Sequence, residues 1–261
     1  MTRLSGKIAA ITGAGSGIAR AAARLFAEEG AKVAVLELQE SLGREIADEI
    51  TANGGEALFV QTDVTEPDSV EQAMQTTVKQ LGGLNTLFNC AGGSVAEDTQ
   101  ITSVDLNVWD HTIALDLKGP FLCCRYGIPY LLEAQGGAII NVSSVAALKG
   151  NFPAMVYSTA KGGVISLTRA LAGQYSRHNI RSNAICPGVI MTDRVKSRFG
   201  ESLDDSSSEQ ARSASAAGMQ RYPFGMGEPE DIANIALFLA SDESRMINGA
   251  VIPAEGGMSV Y

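Results

Sequence analysis

The sequence predicts an α/β fold, a single doubly wound domain whose parallel sheet of about seven strands carries helices on both faces. Three observations support this. Short apolar runs alternate with longer segments of helical composition along the whole chain. A glycine-rich turn joins the first run to the first helix, and an acidic residue closes the second run. The 261 residues are 45% hydrophobic and 19% charged, enough apolar material for one large core.

The elements follow in order. Ile8–Ile11 is a short apolar strand of the kind buried on both faces. It runs into Thr12-Gly13-Ala14-Gly15-Ser16-Gly17-Ile18-Ala19, then a helix over Arg20–Glu29 that stops at Gly30. Val33–Leu36 is the second strand and ends at Glu37. A helix over Glu40–Ala52, a strand at Ala57–Val60, a helix from Pro67 to Leu81 and a strand at Leu84–Asn89 continue the alternation. A long helix covers Leu106–Glu133, and a strand covers Ala138–Val142. The helix bearing Tyr157 precedes a strand at Arg181–Ile185, a helix over Pro229–Ala240 and a last strand near Ala250–Ile252. Strands alternating with helices call for right-handed crossovers, hence parallel pairing. No linker or internal repeat interrupts the pattern, so the expectation is one domain, 1–261, with a substrate lid at about 190–225. Phe199–Gln220, rich in Ser, Asp and Ala, reads both as a solvated loop and as the centre of that lid.

Composition excludes several classes. A net charge of −9 argues against nucleic-acid binding. Cys90, Cys123, Cys124 and Cys186 lack metal or disulfide-framework spacing, and the adjacent pair lies in an apolar segment, so reduced, buried thiols are expected. His111 and His178 are isolated, so no metal site is expected. Trp109, Phe121 and Tyr126 read as helix core or interface packing. The start of the chain has no signal-like apolar region, and no apolar stretch approaches the roughly 18 residues that span a bilayer. A soluble, cytoplasmic protein is expected.

Two stretches carry chemistry. The glycines at 13, 15 and 17 sit where a strand opens into a helix, so the backbone can approach a pyrophosphate and the helix N-terminus can bind it. Glu37, about 20 residues on, can accept from ribose hydroxyls and would repel a 2′-phosphate. With no basic residue at Ser16 or at 38–40, NAD is favoured over NADP. Downstream, Tyr157 and Lys161 lie four apart, on one face of a helix. A phenol, with a reference pKa of about 10, becomes useful for proton transfer when a fixed ammonium favours its phenolate. Ser144 ends the preceding apolar strand, where its hydroxyl could hold a substrate oxygen.

Together these motifs resemble the short-chain dehydrogenase/reductase family over nearly the whole chain. Gly13, Ser16, Gly17 and Ile18 fall in a loop similar to its cofactor loop, and Asp63-Val64 resembles its adenine-contacting pair. Asn89-Cys90-Ala91-Gly92 resembles its Asn-Asn-Ala-Gly segment, and Pro187, Gly188, Ile190 and Thr192 its nicotinamide loop. Ser144, thirteen positions before Tyr157, matches the family's catalytic spacing better than Ser143 does. The resemblance implies that Tyr157 is the acid/base, that Ser144 positions the substrate, and that Lys161 serves Tyr157 and the nicotinamide ribose. Ala19 replaces a usual glycine, and Asp116 stands where the family has a catalytic Asn that holds a water linking the Lys to solvent. The activity implied is NAD(H)-linked interconversion of a secondary alcohol and a ketone by a homotetramer. A 3-oxoacyl-carrier-protein reductase and a non-catalytic NAD-binding module are the alternatives. Substrate-side loops are expected at Gly93–Glu97, Ala146–Phe152 and Ile190–Tyr222, with Phe152, Met155, Met191 and Phe199 hinting at an apolar substrate.

Overall fold

The computed structural model describes residues 2–150, 152–197 and 224–260. The central part of the expected lid, with Phe199 and Tyr222, lies outside the described residues. The elements are β1 (Ile8–Thr12), α1 (Gly17–Glu28), β2 (Lys32–Glu37), α2 (Glu40–Ala52), β3 (Glu56–Gln61), α3 (Pro67–Leu81) and β4 (Thr86–Asn89). They continue as α4 (Leu106–Ile113), α5 (Gly119–Glu133), β5 (Gly137–Val142), α6 (Met155–Tyr175), β6 (Ile180–Pro187), α7 (Pro229–Ala240) and β7 (Val251–Ala254). The strands form a single seven-stranded sheet in the order β3-β2-β1-β4-β5-β6-β7, every pair parallel, as expected.

Alternation along the strands divides the core into two layers. Ala9 and Ile11 of β1 and Val33 and Val35 of β2 face one layer, packed with Ala22, Phe26 and Leu237 from α1 and α7. Ala10, Ala34 and Leu36 face the other, packed with Met74, Cys123 and Leu131 from α3 and α5. Both faces are covered, which is why these strands read as continuous apolar runs. Cys123 and Cys124 are free and buried, as expected, and burial pushes both thiols up, so they stay protonated.

The chain turns back across the sheet between β1 and β4, so the C-terminal ends of these neighbours open a crevice. The long helix runs unbroken from Leu106 to Glu133 but is not uniformly α: residues Ala114–Lys118 form a π-helical turn between α4 and α5, which carries Asp116. Such turns widen the backbone by one residue and occur often at functional sites. Of the two readings for Trp109 and Phe121, core or interface packing, core does not hold: they stand 43% and 48% exposed on α4 and α5.

Candidate active site

Gly13 leaves β1 at φ +69°, and a Cβ there would stand 3.0 Å from the Cα of Ala91, so the turn needs both the conformation and the bareness of glycine. The loop delivers Ser16, exposed, to the N-cap of α1, where its side chain makes no capping hydrogen bond. Across the crevice, Thr12 Oγ1 accepts the backbone N–H of Cys90 and of Ala91 at 3.0 and 3.1 Å, tying the end of β4 to the end of β1. Nothing in the sequence marked Thr12 for this.

The crevice has a volume of about 440 Å³. Gly13, Ser16, Gly17, Ile18, Glu37, Asp63, Val64, Ala91, Gly92 and Thr192 all line it. Leu38, Gln39, Thr62 and Arg194 line it as well. Glu37 is nearly buried, and its two oxygens accept from Gly15 N and Gln39 N, each at 3.0 Å. The same carboxylate therefore braces the glycine loop and faces the crevice.

Other predicted residues lie elsewhere. Asn89 is buried beneath the crevice floor, where its Nδ2 donates to Asn141 Oδ1 at 2.8 Å and Asn141 Nδ2 donates to Thr168 Oγ1 at 2.9 Å. It stitches β4, β5 and α6 together rather than facing the crevice. Gly188 and Ile190 line a separate hollow with Phe224 and Glu255, and Pro187 is buried in β6.

Beyond Gly92 lies the second group. Lys161 is 2% exposed, and its ammonium donates to Val142 O at 3.1 Å and pairs with Asp116 Oδ1 at 3.0 Å. Asp116 is fully buried, and the same Oδ1 accepts from Gly93 N at 2.9 Å, while Oδ2 has no hydrogen-bond partner among the described residues. Burial alone would drive the Lys161 proton off, but the charge of Asp116, that of Tyr157 and the Asp116 hydrogen bond outweigh it and hold the pKa above its ordinary value. The ammonium lies 5.5 Å from the Tyr157 ring centroid. Gly92 joins the two regions: at φ +144°, its absent Cβ would strike Asp116 Oδ1 and stand 3.3 Å from Lys161 Nζ.

The two serines separate by hydrogen bonding. Ser143 Oγ donates to Lys161 O at 2.8 Å, so its proton is engaged. Ser144 Oγ accepts from Ala146 N at 3.1 Å, which leaves its own O–H free to donate. Helix α6 starts at Met155 after Ala154, which has no side-chain oxygen to cap it. Asp98 supplies the cap from a loop far away in sequence: its carboxylate accepts from Val156 N at 3.0 Å and Tyr157 N at 2.8 Å. Phe152 flanks the Tyr157 ring, with centroids 6.4 Å apart. Among the described residues no cluster of His, Cys, Asp and Glu could hold a metal ion.

A parallel sheet with a glycine loop at its switch point and a Tyr–Lys pair beside it defines a class of α/β oxidoreductase. The family model described as enoyl-(acyl carrier protein) reductase matches residues 13–259. An uncharacterized oxidoreductase, YxbG, of Bacillus subtilis is 38% identical over 100% of this chain and 94% of its own. Meso-2,3-butanediol dehydrogenase of Serratia marcescens is 35% identical over 98% of this chain and 95% of its own. The solved structure of 7α-hydroxysteroid dehydrogenase complexed with NADH and 7-oxo glycochenodeoxycholic acid superposes with a TM-score of 0.88 at 30% identity, covering 98% of this chain and 95% of that one. The chain belongs to the short-chain dehydrogenase/reductase family, and is an oxidoreductase of the kind that acts on CH–OH groups.

Proposed function

We propose that this protein interconverts a secondary alcohol and a ketone with NAD(H), using Tyr157 as the general acid/base. The observation that carries this reading is the buried Lys161 ammonium, held by Asp116 and Val142 O against the Tyr157 ring, beside a serine whose O–H is free. The crevice suits an extended diphosphate ligand: the first turn of α1 presents its N–H groups there and the uncapped Ser16 stands beside them. A nicotinamide bound there would supply the hydride acceptor for oxidation and the donor for reduction.

The chain's own groups handle the proton and the oxygen. In oxidation, Tyr157 as phenolate takes the hydroxyl proton while the carbinol C–H leaves as hydride, so one proton and one hydride are accounted for. Ser144 donates to the substrate oxygen and steadies the charge that develops there. Lys161 favours the phenolate, and Asp116 fixes Lys161 in place. NAD rather than NADP is supported by Glu37, whose charge at the crevice wall opposes a 2′-phosphate while its remaining lone pairs can accept from ribose hydroxyls. Phe152, whose ring centroid lies 6.4 Å from that of Tyr157, supports an apolar substrate.

One domain is supported by the single sheet that the described strands form, and most of the lid expected at 190–225 lies outside the described residues. A homotetramer is supported by the apolar side chains of Leu106, Trp109 and Phe121 exposed along α4 and α5. Free, mostly buried cysteines support a reducing, cytoplasmic setting, and no helix among the described residues is long and apolar enough to cross a membrane.

The test is a fluorescence titration of the protein with NADH and with NADPH, followed by a secondary-alcohol screen for NADH absorbance. Tight NADH and weak NADPH binding, with turnover lost in Tyr157→Phe, is the expected result. A preference for NADPH would overturn the NAD assignment in favour of carrier-protein reduction. NADH binding without turnover of any alcohol would favour a non-catalytic module.

A further inference from the structure

We infer that Arg194 is a clamp for the diphosphate of the bound dinucleotide, an inference that rests on the dinucleotide reading above. The charges around the crevice are the first reason. Its described lining carries the carboxylates of Glu37, Asp63 and Asp193 against one cation, Arg194, in a chain of net charge −9. A diphosphate brings about two further negative charges into that field. The amides at the α1 N-terminus and the dipole end stabilise an anion only modestly, so a cation at the crevice mouth adds a large share of the attraction.

Placement is the second reason. Thr192 packs its Cγ2 against Gly17, where a Cβ would approach to 2.9 Å, so the segment entering Arg194 is anchored on the glycine loop itself. From that anchor the Arg194 guanidinium lies directly on the backbone of Gly93, where any Cβ would collide with both terminal nitrogens and the central carbon. The side chain thus arches from the 190s segment over the crevice to the Gly92–Gly93 turn. It spans the gap between the amides of the glycine loop and the turn that hydrogen-bonds Asp116.

Its freedom is the third. Arg194 is exposed and makes no ion pair among the described residues, whereas Arg3, Arg20, Arg24 and Arg44 are all paired. A guanidinium offers a planar fork of donors that matches two phosphate oxygens at once. Gly93 and Arg194 act together here, because a side chain at 93 would push the guanidinium out of the crevice.

The test is calorimetric and fluorescence titration of wild type, Arg194→Gln and Arg194→Lys with NADH and with ADP-ribose, which keeps the diphosphate and lacks nicotinamide. Arg194→Gln should weaken both ligands by the same factor, about tenfold or more, and flatten the loss of affinity with added KCl. Arg194→Lys should recover part of the affinity, since the charge remains and the fork is lost. Circular dichroism and the thermal midpoint should match wild type, because the residue is exposed. Arg194→Gln binding both ligands within twofold of wild type would overturn the clamp while leaving the dinucleotide reading intact. So would unchanged NADH binding accompanied by a raised KM for an acidic substrate, which would mark Arg194 as a substrate contact. Wild type binding neither ligand would overturn the dinucleotide reading itself, and the clamp with it.

Discussion

Asp116 Oδ1 stands 3.0 Å from Lys161 Nζ, with both side chains sealed from solvent, at the junction of the crevice and the Tyr157 face of α6. A buried pair of this kind loses the hydration of both ions, so removing one partner leaves an uncompensated charge. Asp116→Ala should therefore lower stability by about 3–5 kcal/mol in urea or thermal unfolding. Asp116→Asn should cost less, since the amide oxygen can still accept from Gly93 N and Lys161.

The same pair predicts pH behaviour. Lys161 holds its proton more tightly when folded than at its ordinary value of 10.5. Its contribution to stability is therefore complete below that value and is lost as pH rises through the higher folded value. Stability should be insensitive to Lys161 from acid to neutral pH and fall only in strong alkali. In Asp116→Asn burial is less opposed, so the folded value drops and the loss of stability in alkali should be smaller. The uncompensated ammonium should also move the alkaline rise of alcohol oxidation to lower pH, read from a pH–rate profile.

Asp98 should control the placement of Tyr157 without touching it chemically. Asp98→Ala orphans the N–H groups of Val156 and Tyr157 at an end of α6 that has no other side-chain cap. We expect a loss of about 2 kcal/mol in stability, with kcat reduced while NADH affinity stays within a few-fold. Asp98→Asn, which keeps one acceptor, should recover part of both.

The two serines should differ in kind. Ser144→Ala removes the free donor and should cost about a hundredfold in kcat, together with about 1 kcal/mol of stability for the lost acceptor of Ala146 N. Ser143→Ala removes the donor to Lys161 O and should cost about 1–2 kcal/mol of stability without the hundredfold loss in kcat. Steady-state kinetics alongside denaturant unfolding separates them.

Glu37 should show both of its roles. Glu37→Gln keeps an acceptor for Gly15 N but removes the charge, and should raise NADPH affinity by about tenfold relative to NADH. Glu37→Ala also frees the glycine loop, and should weaken both cofactors in the same titration.

Much of this protein was determined by sequence alone. Apolar runs such as Val33–Leu36 have to be buried on both faces, and glycine at 13 allows a turn that a Cβ would block, so the parallel sheet and the crevice position were legible. The i, i+4 spacing of Tyr157 and Lys161 follows from helix geometry and needed no tertiary information. The rest was decided by contacts between segments far apart in the chain. Asn89 sits within a motif, yet its partners Asn141 and Thr168 draw it into the core. Asp98 and Arg194 carry no local signal, because one acts on α6 across 59 residues and the other reaches Gly93 only once the sheet has brought their loops together. Which of two adjacent serines keeps a free proton depends on Lys161 O, a group that reaches Ser143 only when α6 packs against the end of β5. Local periodicity records what a segment must bury. It holds no record of which distant polar atom will satisfy it, since that choice is made by the packing of the whole sheet.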